Sequence, residues 1–187
     1  MALVFRWYNR MLLNHPWKSQ ALTTGCLMAT SDFIAQTAVE KSELKHVDWF
    51  RVGRFAFLGL FYVGPSLRLW YLTLDKIYGV AGKTVGIKKV LTDQCMFSPA
   101  FIASFLIVCG KSQFHTWNEI KQKINNDYFT ILKTSYKLWP CAQLITFYVI
   151  PLQLRVPFVS FIALIWNTYL ASQANRSTNE TTIKDGV

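Results

Sequence analysis

The sequence predicts an all-α integral membrane protein. It reads as a helical bundle of four transmembrane helices in one membrane domain, residues 1–174, followed by a polar tail over 175–187. Three observations carry this reading. Charged residues make up only 16% of the chain and hydrophobic residues 52%, whereas soluble domains carry about 25% charge. Four long apolar stretches lie between clusters of charge. Trp17, Trp49, Trp70, Tyr71, Trp139 and Tyr169 fall near the ends of those stretches, as aromatics of a membrane interface do. The mean hydropathy of +0.22 agrees in sign.

The elements follow in order. The opening "MALVFRWYNRMLLNHPWK" holds three basic residues and no acid. Leu3, Trp7 and Met11 recur at helical spacing, with Arg6 and Arg10 on another face, which predicts an N-terminal amphipathic helix. Such a segment is either an uncleaved mitochondrial-type address or a helix lying in the interface. Pro16 suits the first turn of the next helix.

The first span is predicted over 19–39; the interval from Lys18 to Glu40 is ~33 Å of helix, enough for a ~30 Å hydrocarbon core. The second is predicted over 52–74 and the third over 90–110. A short kinked helix over 138–150, ~20 Å long, precedes the fourth span over 156–174. Gly64-Pro65, Pro99, Pro140 and Pro151 mark expected kinks, because proline removes a helical hydrogen bond. Residues 112–137 form the longest polar connection. The tail "SQANRSTNETTIKDGV" has the composition of a disordered segment. Basic residues divide 9 against 8 between the two sides of such a bundle, so the positive-inside rule assigns no orientation.

The net charge of +10 suits lipid headgroups and small anions. No basic-aromatic groove or nucleic-acid signature accompanies it, so no direct nucleic-acid binding is expected. His15, His46 and His115 are scattered, and neither a metal-ligand spacing nor a Gly-rich phosphate loop occurs. No enzyme, cofactor or metal is expected. Cys26, Cys95, Cys109 and Cys141 lie in apolar text without a Cys-x-x-Cys pair, and are expected to be buried structural thiols.

Ionisable groups inside spans are candidates for function. Asp32 is the deepest, ~21 Å along the helix from Lys18 and ~12 Å from Glu40. Gln36 follows at i+4 on the same face, and Gly25 and Ala29 extend it as a small-residue stripe. Asp32 therefore either lines a pore or locks two helices together. Arg54, Arg68 and Arg155 are the candidate counter-charges. Arg54 and Arg68 are ~21 Å apart at a small angular offset, so they either snorkel to opposite interfaces or line one face that attracts anions. Asp93, near an interface, and Gln143, in the short helix, complete the candidate set.

The blocks "HPWKSQALTTGCLMATSDFIAQ", "RVGRFAFLGLFYVGPSLRLWYLTLD", "KKVLTDQCMFSPAF" and "LWPCAQLITFYVIPLQLRV", followed by "IWNTYLAS", resemble the ordered signature of one family. It is the family of small peroxisomal and mitochondrial inner-membrane proteins named after Mpv-seventeen and a peroxisomal membrane protein. The resemblance runs from about Trp7 to Ser172. The N-terminal block is most similar to the mitochondrial inner-membrane branch associated with maintenance of mitochondrial DNA. Ser31 stands where the family usually has Gly, and Thr146 where it usually has Asn.

The resemblance implies four transmembrane segments and a weakly selective channel for small solutes. It also implies a part in membrane potential, reactive-oxygen or nucleotide balance. The expected place is the mitochondrial inner membrane, with the peroxisomal membrane as the alternative. The expected partners are membrane lipid, small solutes or anions, and further copies in a homo-oligomer. A membrane scaffold or assembly factor without transport, docking a partner through Lys111–Lys137, is the competing reading.

Overall fold

The computed structural model describes residue 10 and residues 14–79, 84–149 and 155–184, with side chains except at 146–148, 155–157 and 175–184. The predicted N-terminal amphipathic helix, Pro151 and the Arg155 side chain lie outside the described residues. Every regular element among the described residues is helical. Two helical runs, Trp49–Tyr78 and Val85–Ser112, are long and apolar enough to cross a membrane. The chain divides into two compact units, 1–77 and 78–187.

In the first unit, α1 (Pro16–Ile34) opens with proline in its first turn. Its hydroxyls are turned back on the helix: Thr23, Thr24 and Ser31 donate to the carbonyls of Ser19, Gln20 and Leu27, at 2.8, 2.9 and 2.6 Å. This satisfies polar side chains without a partner helix, as an apolar solvent demands. A π-turn, Ala35–Val39, continues α1 and closes with the Glu40 N–H on the Ala35 carbonyl. Lys41, at φ 56°, then turns the chain out of the helix. Asp48 starts α2 (Trp49–Leu58) by accepting the Arg51 N–H at 3.0 Å, an N-cap contact. A second π-turn, Gly59–Val63, leads into α3 (Gly64–Tyr78).

The two arms of this unit touch through glycine. A Cβ on Gly59 would stand 2.8 Å from the Gly25 Cα and 2.8 Å from the Thr24 carbonyl oxygen; one on Gly64 would stand 3.0 Å from the Ala21 Cα. Apolar residues gain little by leaving lipid for protein, so close backbone approach and dispersion hold such helices together. Five residues separate the two glycines, which in a regular α-helix places them ~140° apart. The wider π-turn between them brings both to the α1 side. Met28, Ala35, Phe55, Leu58 and Val63 complete this buried face.

In the second unit, α4 (Val85–Thr92), a third π-turn (Asp93–Phe97) and α5 (Ser98–Ser112) form one run. A turn through Phe114, at φ 61°, leads to a capping box in which Thr116 and Glu119 serve each other's backbone N–H groups. The exposed Glu119 carboxyl is held below its ordinary range by the Thr116 N–H and hydroxyl. The long α6 (Trp117–Tyr148) follows, then α7 (Arg155–Lys184). Ile102, Phe105, Cys109, Ile120, Ile131, Trp166 and Leu170 are buried here. Lys123 is buried as well and donates to the Ala174 carbonyl. Burial pushes its ammonium below the ordinary lysine value, opposed by Cys109 and Asp127.

Several expectations are revised. The short helix over 138–150 is not separate: it is the C-terminal part of α6, and Pro140 sits inside that helix. At Pro65 and Pro99 the helices continue. In both cases a π-turn ends two residues before the proline. Proline lacks an N–H and its ring crowds the carbonyl four residues back, and a widened turn there relieves that crowding. The helix α7 carries the backbone past Ala174 into the polar tail. Of the four cysteines only Cys109 is buried; Cys26, Cys95 and Cys141 are exposed. Apolar text in a membrane helix faces lipid as readily as protein, so it does not place a thiol inside.

Candidate functional site

The polar groups of the first unit gather at two places on the α1/α2–α3 pair. At the α2 end, Asp32 is completely enclosed. Its Oδ1 accepts the Arg51 Nε–H at 2.8 Å and its Oδ2 accepts the Gln36 Nε2–H at 2.9 Å. The rest of the Arg51 guanidinium meets Glu40 in a two-pronged pair: Nη1 donates to Oε2 and Nη2 to Oε1, both at 2.6 Å. Gln36 reaches onward to the connecting segment. Its Oε1 accepts the Asp48 N–H at 2.8 Å, and its Nε2 also donates to the Asp48 carbonyl at 3.2 Å.

All three nitrogens of Arg51 are therefore bonded, and one cation faces two carboxylates. Asp32, Gln36 and Glu40 share a face because the π-turn over Ala35–Val39 slows the rotation of the helix by the time Glu40 is reached. The cluster closes the hairpin between α1 and α2 and ties down the segment between them. Charge-assisted, bidentate bonds of this kind are the strong ones, and a buried charge stripped of its partner is expensive.

At the other end of the pair the arrangement is open. Arg68 lies ~25 Å of helix from Arg51. Its Nη1 donates to Gln20 Oε1 at 3.2 Å, and its Cζ stands 4.9 Å over the Trp17 ring. Its Nε is enclosed without a hydrogen-bond partner. Among the described residues no carboxylate pairs with it. Arg54, the other expected counter-charge, stands 5.1 Å over the Phe50 ring and does not reach Asp32.

The second unit carries a polar seam of its own. Ser98 and Ser135 share a hydrogen bond of 3.1 Å, and the Tyr128 hydroxyl donates to the Pro99 carbonyl at 3.3 Å. Gln94 donates from Nε2 to Asp93 Oδ2 at 3.2 Å, which fixes the orientation of its amide. Its Oε1 then remains enclosed without a donor, and so does Oε1 of Gln143. Among the described residues no group of His, Cys, Asp or Glu side chains is arranged to hold a metal ion.

The structure thus joins Asp32 to Gln36 as the i+4 spacing suggests, and corrects the partner of Asp32. That partner is Arg51. The predicted second span begins at residue 52 and so leaves Arg51 just outside it. The stretch Asp48-Trp49-Phe50-Arg51 held the signal: an N-cap aspartate starts the helix at Trp49 and places Arg51 inside its first turn. Glu40 was likewise read only as a boundary charge.

The sequence model of the Mpv17 / PMP22 family matches residues 111–171. The chain is 40% identical to "Mitochondrial inner membrane protein Mpv17" of Xenopus laevis, over 95% of this chain and 100% of the relative. It is 40% identical to the protein of the same name from Homo sapiens, over 94% of this chain and 99% of the relative. It is 35% identical to "Protein SYM1" of Gibberella zeae, over 91% of this chain and 97% of the relative. No solved structure matches the chain.

Proposed function

We propose a small-solute channel as the function of this chain, which belongs to the Mpv17/PMP22 family and is a protein of the mitochondrial inner membrane. The channel is weakly selective. It contributes to membrane potential, reactive-oxygen or nucleotide balance, and through nucleotide supply to maintenance of mitochondrial DNA. Four spans form it: the runs Trp49–Tyr78 and Val85–Ser112, α1 with its π-turn, and the apolar part of α7.

One observation supports this reading above the others. Gln94 Oε1 and Gln143 Oε1, both in the second unit, are enclosed yet have no hydrogen-bond partner. Buried polar atoms are nearly always satisfied, by protein or by water, and within a membrane an unsatisfied one is costly. Water among these helices answers that need, and a wetted interior is the first requirement of a path for polar solutes. Arg51 and Asp32, by contrast, satisfy each other, so we assign them to holding the helices and not to lining the path.

Reconstitution of the pure protein into planar bilayers tests the proposal. Discrete conductance steps with weak ion preference are expected, reduced in a Gln94→Leu/Gln143→Leu double variant that keeps its helical content. Absence of conductance under every pH, potential and redox condition tried would end the channel reading.

A further inference from the structure

The geometry points to a phosphate-binding seat at Arg68, formed with Trp17 and Gln20. The ligand class is a phosphate ester, presented either by a lipid headgroup or by a small phosphorylated solute.

A guanidinium has five N–H donors and no acceptor. Here one donor is used, by the neutral Gln20 amide. The indole of Trp17 covers a face of the group and supplies cation–π attraction but no acceptor. Nε, enclosed, has no partner. Nη2 makes no hydrogen bond among the described residues. Nε and Nη2 form one edge of the guanidinium, the edge that meets two oxygens of a phosphate or carboxylate side by side; because Nε is enclosed in this conformation, seating an anion there requires the Arg68 side chain to shift.

The surroundings favour an anion from outside. The first turn of α1 contains no acidic residue. Lys18 and His15 are exposed there, and Trp17 is 45% exposed. A charged group inside a membrane-crossing helix is costly without a partner, and Arg51 shows what a supplied partner looks like on the same run: every guanidinium nitrogen bonded to a carboxylate. Among the described residues, Arg68 is given a holder and a stacking ring but no acid. A phosphate group presents two unesterified oxygens to that edge, and a phosphate monoester carries more negative charge than a carboxylate.

This inference gives a ligand class to the path proposed above and rests on that reading only for transport; the seat itself is read by binding. Full-length protein is placed in neutral phosphatidylcholine nanodiscs and titrated with inorganic pyrophosphate. In parallel, retention of phosphatidylglycerol is counted by native mass spectrometry. Saturable binding of at least one probe is expected, weakened at least tenfold in Arg68→Gln and less in Arg68→Lys, which keeps the charge and loses the edge. Pyrophosphate binding marks a soluble ligand; phosphatidylglycerol retention alone marks a lipid headgroup.

Gln20→Glu is the control for folding: it gives Arg68 an internal carboxylate, and is expected to keep or raise the melting temperature while weakening binding at least tenfold. Equal binding by wild type and both charge variants, or no binding of either probe, would overturn the seat. Conductance is scored separately. A protein that conducts and binds neither probe loses the seat alone, and one that binds and never conducts loses the channel alone.

Discussion

Arg51 and Arg68 stand on the same helical run and differ in one respect that decides their roles. Arg51 meets Asp32 and Glu40 and leaves no nitrogen unpaired. Among the described residues Arg68 meets an amide oxygen and an indole and no carboxylate. Both are arginines in a chain short of acids, which holds 10 Asp and Glu against 20 Lys and Arg. Where a carboxylate is provided, the guanidinium becomes part of the frame. Where none is provided, it remains available to something the chain does not encode. Partner supply, more than depth or residue type, separates a structural charge from a functional one here.

The largest expected effect comes from removing the saturated arginine. Arg51→Gln leaves Asp32 enclosed without its cation, and a broken buried pair costs about 3–5 kcal/mol. Thermal unfolding in lipid or mild detergent should show a marked loss of stability. A melting temperature within two or three degrees of wild type would mean, by the order of magnitude expected for such shifts, that the two ends are energetically alike.

Gly59→Ala acts between the two ends. Its methyl meets the Gly25 Cα and the Thr24 carbonyl, both backbone atoms that cannot step aside. Overpacking of this kind costs about 1–3 kcal/mol. Both ends should suffer together, read as reduced melting temperature and as weakened Arg68-dependent binding in the same sample. Asp32→Asn keeps the shape and one acceptor while removing the charge, and is expected to cost about 1.5–3 kcal/mol. Conductance at a temperature where this variant is folded should be unchanged; altered ion preference would return Asp32 to the lining of the path.

Arg68→Gln sits at the small end for stability. One neutral-acceptor hydrogen bond and one exposed cation–π contact are lost, about 1 kcal/mol in all. Its effect should instead appear in anion preference. A reversal potential in a salt gradient that shifts toward cation preference, with little change in melting, is the expected result. Collapse of the fold would place Arg68 in the frame beside Arg51.

Much of the frame was legible in the sequence. Pro16 marks a helix start, the Gly25 face predicts close approach, and the Asp32–Gln36 spacing predicts that the two meet. The identity of the counter-charge was not legible, because Arg51 and Arg54 differ by less than one turn and a boundary error of three residues selects the wrong one. The π-turns were also hidden, since one extra residue in a helix leaves its composition and hydropathy unchanged. Only the five-residue interval between Gly59 and Gly64 hints at one. The continuity of α6 is not legible because the polar stretch 112–137 and the apolar one after it differ in composition, which suggests two elements where one helix carries Pro140 inside it. Exposure of Cys26, Cys95 and Cys141 was beyond reach for a simpler reason: in lipid, an apolar stretch has no hydrophobic inside.

The π-turn at Gly59–Val63 has a consequence for how this gene tolerates insertion and deletion. Each residue of α-helix turns everything beyond it by ~100°. Deleting one residue between Gly59 and Val63 would restore an ordinary helix, keep the span long enough for the membrane and leave its hydropathy nearly untouched. Gly59 and Gly64 would then stand four α-helical steps apart, ~400° of turn, so Gly64 would still face Ala21 and Arg68 would still face Trp17. The π-turn is thus the one place in this helix that can give up a codon without losing its angular setting; the same deletion in the regular helix between Gly64 and Arg68 would turn Arg68 by ~100° away from Trp17.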